Sequence, residues 1–307
     1  MRIVVRERVG RLVWRGRAHL VRRTKRRAES DRARFVEQAR ELTPVMAVER
    51  GRTRYLLPVR EKAGSDRFTK TKWKETRHLE RALAVLDSFG WPRLEFVDVG
   101  AHVGTTAISA VQEFGFRSAV AFEPELENFR LLQANRGING LEASLSTFNA
   151  AVSDRVGTAE LVLGSSRGTK HRLLRSGEAG RRTRTVRLTT LDALVDAGEL
   201  DPSRVSLLWL DVEGHELEAL SGARKLLDRA VPIVMEFTPR RLADGGGLEE
   251  LRSCIGDRYT RVVDLRRPRS GALELDRLGE LARRYRRGFT DILLFGEHDP
   301  QRARRAA

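Results

Sequence analysis

The sequence predicts an α/β fold in which helices cover both faces of a largely parallel sheet. From residue 93 onward, strand-like apolar runs alternate with helical segments, as parallel strands require when each crossover carries a helix. The run "EFVDVGAHVGTTAIS" (95–109) passes from a buried strand through an acidic residue and two glycines into a helix, the unit from which such sheets are built. With 307 residues, 40% of them hydrophobic, the chain can bury one substantial core.

Residues 1–50 read as a basic, helical extension, and 51–92 as a lead-in whose "HLERALAVLDSFG" forms a helix closed by Gly90. The main domain spans 93–298, and 299–307 form a basic tail. "LEFVDVG" is the first strand and "HVGTTAISAVQEF" its helix, and "SAVAFEP" is the second strand, followed by the helix "ELENFRLLQANRGING". "ASLSTFNAAVS" is the third strand and "GTAELVLGS" a hairpin, while "TTLDALVDAG" opens a short helix with Thr189 as cap and Asp192 completing a Thr-x-x-Asp pattern. "VSLLWLDV" is a fourth core strand with "GHELEALSGARKLLDRA" as its helix. "VPIVMEFT" is the fifth, before the helix "LEELRSCIG", and "YTRVVDL" and "FTDILLFG" close the sheet.

The charge is unevenly placed. Of a net +16, residues 1–40 supply +10, from 14 Lys and Arg against 4 Asp and Glu. A second basic cluster, "RGTKHRLLRSGEAGRRTRTVR" (167–187), reads as a loop or insertion. Val5, Val9, Leu12, Val13 and Leu20 follow helical spacing among arginines, so the arm reads as a basic amphipathic helix. Such a helix suits an anionic membrane surface, and it equally suits packing on the core or on a second subunit. No run reaches the roughly 20 apolar residues of a membrane span. The single cysteine, Cys254, gives neither a disulfide framework nor a zinc cluster. The expected setting is cytoplasmic, with peripheral membrane contact through the arm.

The glycine turn exposes backbone N–H groups at the positive end of a helix, a place for an anionic group. Its pattern, from Asp98 through Gly104, is D-x-G-x-x-x-G rather than the G-x-G-x-x-G of nicotinamide-binding sheets. An acid beside such amides suits both ends of a zwitterionic amino acid, and S-adenosyl-L-methionine carries one. Glu123, 25 residues beyond Asp98 at the end of the second strand, can accept hydrogen bonds from both hydroxyls of a ribose. Taken alone, it would equally read as an acid at a helix N-terminus.

The segments "FVDVGAHVGTTAI", "AFEPELENFRLLQANRGING", "NAAVSDRVGTAEL", "TTLDALV", "LWLDVEGHELEALSGA" and "PIVMEFTP" resemble, in the same order, the FkbM-type methyltransferases, a branch of the class I S-adenosylmethionine-dependent enzymes. The likeness covers roughly residues 90–240, and the D-V-E-G-x-E segment, Asp211–Glu216, is its most specific part. The resemblance implies a class I methyltransferase (Rossmann-like) sheet of about seven strands, mostly parallel with the last antiparallel. It also implies S-adenosyl-L-methionine as cofactor and O-methylation of a hydroxyl on a sugar, glycan, glycolipid or natural-product scaffold. Carried over residue by residue, Asp98, Gly100 and Gly104 would hold the methionine end and Glu123 the ribose, while Asn149, Ala150, Ala151 and Asp154 would border the adenine. His102 departs from the family's usual Asn and is expected to keep a polar contact near the cofactor. The basic arm lies outside the family pattern.

Methyl transfer from a sulfonium is an in-line displacement, so alignment supplies most of the catalysis and a general base removes the hydroxyl proton. Asp211, Glu213, His215 and Glu236 map to the ends of the fourth and fifth strands, where such a base belongs. Glu213 and Glu216 also read as acids stabilising a first helical turn. Asp211 and His215 are the stronger candidates for base, because an Asp closing so apolar a strand is costly to bury without a partner or a task. The same side chains suit a hard divalent ion, although no metal is expected.

Two other functions fit parts of the sequence. A nucleic-acid methyltransferase could grip phosphates with its basic segments. Against it, there is no Pro-Pro pair, Cys254 lies in "LRSCIG" rather than after a proline, and aromatic residues make up only 6%. A non-catalytic binding module would not need the acids at 98 and 123.

Overall fold

A computed structural model describes residues 30–59, 73–164, 171–174, 182–240, 247–267 and 271–296. The amphipathic stripe of the arm, the basic tail and most of the 167–187 segment lie outside them. The chain divides into two compact units, one of Met1–Val48, Leu57–Trp73 and Ser166–Gly168, the other of Glu49–Leu56, Lys74–Ser165 and Thr169–Ala307.

In the first unit, residues 30–42 are helical (α1). The helical reading of the extension fails at its end, where Val45–Arg50 is a strand (β1) paired in a two-stranded sheet with Thr53–Pro58 (β2). Pro44 disfavours helical backbone at Thr43, and Gly51, at a φ of +57°, supplies a two-residue turn between the strands. Arg40 Nε donates to the Val59 carbonyl at 2.9 Å, and the Val59 N–H donates to the Pro44 carbonyl at 3.0 Å.

From Lys74 onward the second unit holds α2 (Lys74–Ser88), β3 (Glu95–Val99), α3 (Thr105–Gln112), β4 (Ser118–Phe122), α4 (Leu126–Ile138) and β5 (Leu145–Phe148). β6 (Ala151–Val152), β7 (Gly157–Val162), β8 (Arg172–Leu173) and β9 (Thr183–Thr189) follow, then α5 (Leu191–Asp196), β10 (Val205–Leu210), α6 (Glu216–Ser221) and α7 (Arg224–Leu227). β11 (Ile233–Phe237), α8 (Gly247–Ile255), β12 (Arg261–Asp264), β13 (Leu273–Glu274), α9 (Leu278–Arg284) and β14 (Thr290–Phe295) complete it.

Eight of these strands form the main sheet, in the order β13-β12-β14-β11-β10-β3-β4-β5. β5, β4, β3, β10 and β11 run parallel, and β14, last in sequence, inserts antiparallel between β11 and β12. This is the predicted sheet, with the two-residue β13 added at one edge. Both faces are covered, which is why β10 is apolar at every position but Ser206 and is buried throughout. On one face Val97, Val99, Leu208, Leu210, Met235 and Ile292 join a core that includes residues of α5 to α9. On the other, Phe96 meets Phe116 and Trp209, and Phe89 meets Phe295.

The structure redraws five segments. "ASLSTFNAAVS" splits after Phe148, leaving β5 in the main sheet and β6 in a second sheet ordered β6-β9-β7-β8. The hairpin expected in "GTAELVLGS" is the single strand β7, paired antiparallel with β8 and β9. β9 takes the end of the basic segment read as a loop. Its arginines masked an alternation in which Val186 and Leu188 are buried while Thr185 and Arg187 face out. The α5 cap is Thr190 rather than Thr189, because Thr189 still pairs with Val152, and Thr190 Oγ1 accepts the Ala193 N–H at 2.9 Å. Finally, "GHELEALSGARKLLDRA" is two helices. The Asp192 carboxylate accepts the N–H groups of Arg224 and Lys225 at 2.9 Å each and so caps α7 as a separate start.

Candidate active site

β3 ends in the glycine turn, which is tied to the neighbouring strand: the N–H groups of Gly100 and Ala101 donate to the Phe122 carbonyl at 3.0 and 2.9 Å. Gly100 has a φ of +87°, and a Cβ there would lie 2.2 Å from the Asp211 carbonyl oxygen. Gly104 has a φ of +85°, and its Cβ would lie 2.4 Å from Leu132 Cδ1. Only glycine lets the turn pass this close to β10 and α4.

Glu123, buried at the end of β4, joins two turns. Its Oε2 accepts the N–H of His102 at 2.8 Å and its Oε1 accepts the N–H of Glu125 at 2.8 Å. Asn149 Nδ2 donates to the carbonyls of Glu123 and Pro124 at 2.8 and 3.1 Å. Asp98, Gly100, His102, Gly104, Glu123 and Asn149 are thereby gathered at the C-terminal ends of β3, β4 and β5, where ligands bind in open α/β sheets. Ala150 and Ala151 are buried just beyond. Asp154 is exposed, with Oδ1 accepting from Ser153 Oγ and Arg155 Nη1 at 2.9 and 3.0 Å.

Asp98 is 1% exposed, and its Oδ2 accepts the N–H of Ala107 at 3.0 Å. Burial pushes its carboxyl up to about 7 against that hydrogen bond, and the charge of Asp211 raises it further.

A row of acids lies along the same sheet edge. Leu210 pairs with Met235, so the next step of the register sets Asp211 beside Glu236, whose antiparallel partner is Asp291. Asp211, Glu213 and Glu236 each place a carboxylate oxygen within 4.8 Å of the others, a donor set suited to a hard divalent ion. Glu213 has a φ of +58°. Glu216, also buried, is pushed up to about 7 by burial, with the charges of Glu236 and Asp211 adding to the shift.

His215 is engaged elsewhere: its Nε2 and Ser153 Oγ hydrogen-bond at 2.9 Å, and its Nδ1 lies 3.5 Å from Glu218 Oε2. The structure therefore groups Asp211, Glu213 and Glu236, and links His215 to the 149–154 segment. Sequence reasoning missed Asp291, and with it Lys74 and His78, whose Nζ and Nδ1 lie 3.1 and 3.0 Å from Asp291 Oδ2. The available signal was an Asp in the apolar run "FTDILLF", the same signal that marked Asp211.

Residues 98–262 match the methyltransferase FkbM domain, and the chain belongs to that family. Among solved structures, it is similar to methyltransferase FkbM from Methylobacillus flagellatus KT, at 15% identity and a TM-score of 0.41 over 66% of this chain and 43% of that one. The chain thus spans less than half of that protein's length. TYW2 from P. horikoshii, in complex with MeSAdo, is 13% identical with a TM-score of 0.43 over 82% of this chain and 70% of that one. TYW2 from M. jannaschii, in complex with AdoMet, is 10% identical with a TM-score of 0.41 over 82% and 84%. No curated protein matches the chain at significance.

A carboxyl raised in the folded state holds its proton more tightly there than in the unfolded chain. Its contribution to stability is present near the ordinary carboxylate value and is lost as pH rises through about 7. Asp98→Asn keeps an acceptor for Ala107 and carries no charge. By calorimetry, its stability relative to the wild type should climb between about pH 4 and pH 8, by at most about 4 kcal/mol. A pH-independent difference would show that Asp98 ionises normally.

Proposed function

We propose that the protein is an S-adenosylmethionine-dependent O-methyltransferase acting on a hydroxyl of a sugar, glycan or natural-product acceptor. The observation that carries this reading is the joining of the Asp98–Gly104 turn to Glu123 through the His102 amide, within the family segment. The residues fit the cofactor. A side chain at Gly100 would strike the Asp211 carbonyl, so glycine keeps the turn against the end of β10, and the start of α3 favours a carboxylate. Asp98 would receive the amino group, Glu123 would accept from the ribose hydroxyls, and Asn149, Ala150 and Ala151 would border the adenine, with Asp154 at the rim.

When bound, S-adenosylmethionine supplies an electrophilic methyl group on sulfur. The protein's part is to align the acceptor oxygen with it and to remove the hydroxyl proton. Asp211, which adjoins the turn and lies beside Glu236 in the acidic row, takes that proton. His215 holds Ser153, and through it the adenine-side segment, in register with α6. A second reading, favoured by the 4.8 Å grouping, has Asp211, Glu213 and Glu236 binding a divalent cation that positions the acceptor oxygen.

Among the described residues, no helix is long and apolar enough to cross a membrane. On its sequence charge, the arm of residues 1–40 is proposed to bring the enzyme to an anionic membrane surface.

Glu123→Ala should weaken cofactor binding by about tenfold or more in calorimetry, since hydrogen bonds to a charged group contribute roughly 1.5–3 kcal/mol each. Unchanged affinity would remove Glu123 from the site. Asp211→Asn should lower turnover by about 10² to 10⁴ with cofactor affinity nearly intact, whereas full activity would exclude it as base. A chelator that abolishes wild-type turnover would establish the cation reading, and one without effect would dismiss it.

A further inference from the structure

The acidic row ends in a corner of opposite charge. β12 ends and β14 begins at the sheet edge where β10 and β11 also end, because β14 runs antiparallel to both β11 and β12. Asp264 braces this corner from below. Its Oδ1 accepts Thr290 Oγ1 and the Arg266 N–H at 2.7 and 3.1 Å, and its Oδ2 accepts the Tyr285 hydroxyl at 2.8 Å. Arg81 Nη1 donates to the Leu265 carbonyl at 2.6 Å and so fixes α2 against the same loop.

On the outside of the corner stands Phe289, 36% exposed. The Arg266 guanidinium lies 4.1 Å from its ring centroid and Lys74 Nζ lies 4.9 Å from it. Lys74 shares its charge with the buried Asp291, whereas Arg266, Arg286 and Arg287 make no ion pair with a carboxylate among the described residues. Asp291 compensates Lys74, so the positive charge of Arg266 is left to the ring, which offsets only part of the cost of holding it there. The arrangement is a clamp built before its ligand arrives: a planar guanidinium that can grip a phosphate with two N–H groups, and an ammonium that adds a point charge.

The clamp's distance from the acids fits a small molecule. Phe289 precedes Asp291 by two residues, and Asp291 lies two strands from Asp211, which puts the clamp on the order of 10 Å from Asp211. A monosaccharide carrying a phosphate spans a gap of that order between its phosphorus and its far hydroxyl. We propose that Arg266 and Lys74, spaced by Phe289, bind the phosphate of a phosphorylated sugar or polyol acceptor and so present its hydroxyl to Asp211. The inference rests on the methyltransferase reading and narrows its acceptor to a phosphate monoester.

The test uses the full chain at low salt with glucose 1-phosphate and glucose as probes, and S-adenosylhomocysteine titrated separately as a check of folding and of the cofactor site. Glucose 1-phosphate should bind at least tenfold more tightly than glucose, and Arg266→Ala should remove most of that preference. Arg266→Lys should restore it in part, since it returns the charge without the fork. Equal binding of the two sugars, or an Arg266→Ala protein that binds glucose 1-phosphate like the wild type, would overturn the clamp. If the wild type ignores S-adenosylhomocysteine yet binds glucose 1-phosphate through Arg266, the clamp stands and the methyltransferase reading falls.

Discussion

The site depends on one backbone contact, the passage of Gly100 against the carbonyl of Asp211. No Cβ fits between them, and the Asp211 N–H donates to the Val99 carbonyl at 3.0 Å just beside it. This contact joins the end of β3 to the end of β10. It sets the glycine turn beside Asp211 and the acids grouped with it. Any side chain at position 100 would push the turn away from the end of β10, and a left-handed φ makes glycine the residue for the turn in any case.

Asp98, Asp211, Glu216, Glu236 and Asp291 crowd one sheet edge, and their repulsion has to be managed. Asp98 and Glu216 are driven toward the neutral form by burial, which lightens the load. Asp291 is held below its ordinary value: burial opposes this, but His78, whose Nδ1 lies 3.0 Å away, and the Lys74 charge outweigh it. Glu123 is satisfied by two backbone amides. Asp211 and Glu236 lie side by side between these groups, with Glu213 close to both. The basic corner beyond Asp291 continues the same balance outward.

The strands of the main sheet were legible because buried parallel strands leave long apolar runs, and the glycine turn after β3 was legible because its glycines and acid are local in sequence. The second sheet was not. Its longest strand, β9, hides its period-two pattern behind arginines at 182, 184 and 187, and its partner β6 is only two residues long. The capping role of Asp192 was misassigned because its targets, Arg224 and Lys225, lie on another helix 32 and 33 residues away. The row from Asp211 to Asp291 was half legible. Two of its members end strands in a recognisable motif, but Asp291 enters through an antiparallel register, and its partners His78 and Lys74 come from α2, far earlier in the chain. Pairings made by tertiary contact leave no local trace.

The central claim, that the turn from Asp98 to Gly104 and the carboxylate of Glu123 together hold S-adenosylmethionine, is tested most directly by a crystal structure of the full chain grown with S-adenosylhomocysteine. The account predicts the amino-acid end of the ligand against the Gly100–Gly104 backbone, both ribose hydroxyls on Glu123, and the adenine beside Asn149–Ala151. A ligand bound with its ribose away from Glu123, or a turn left empty at saturating ligand, would contradict it.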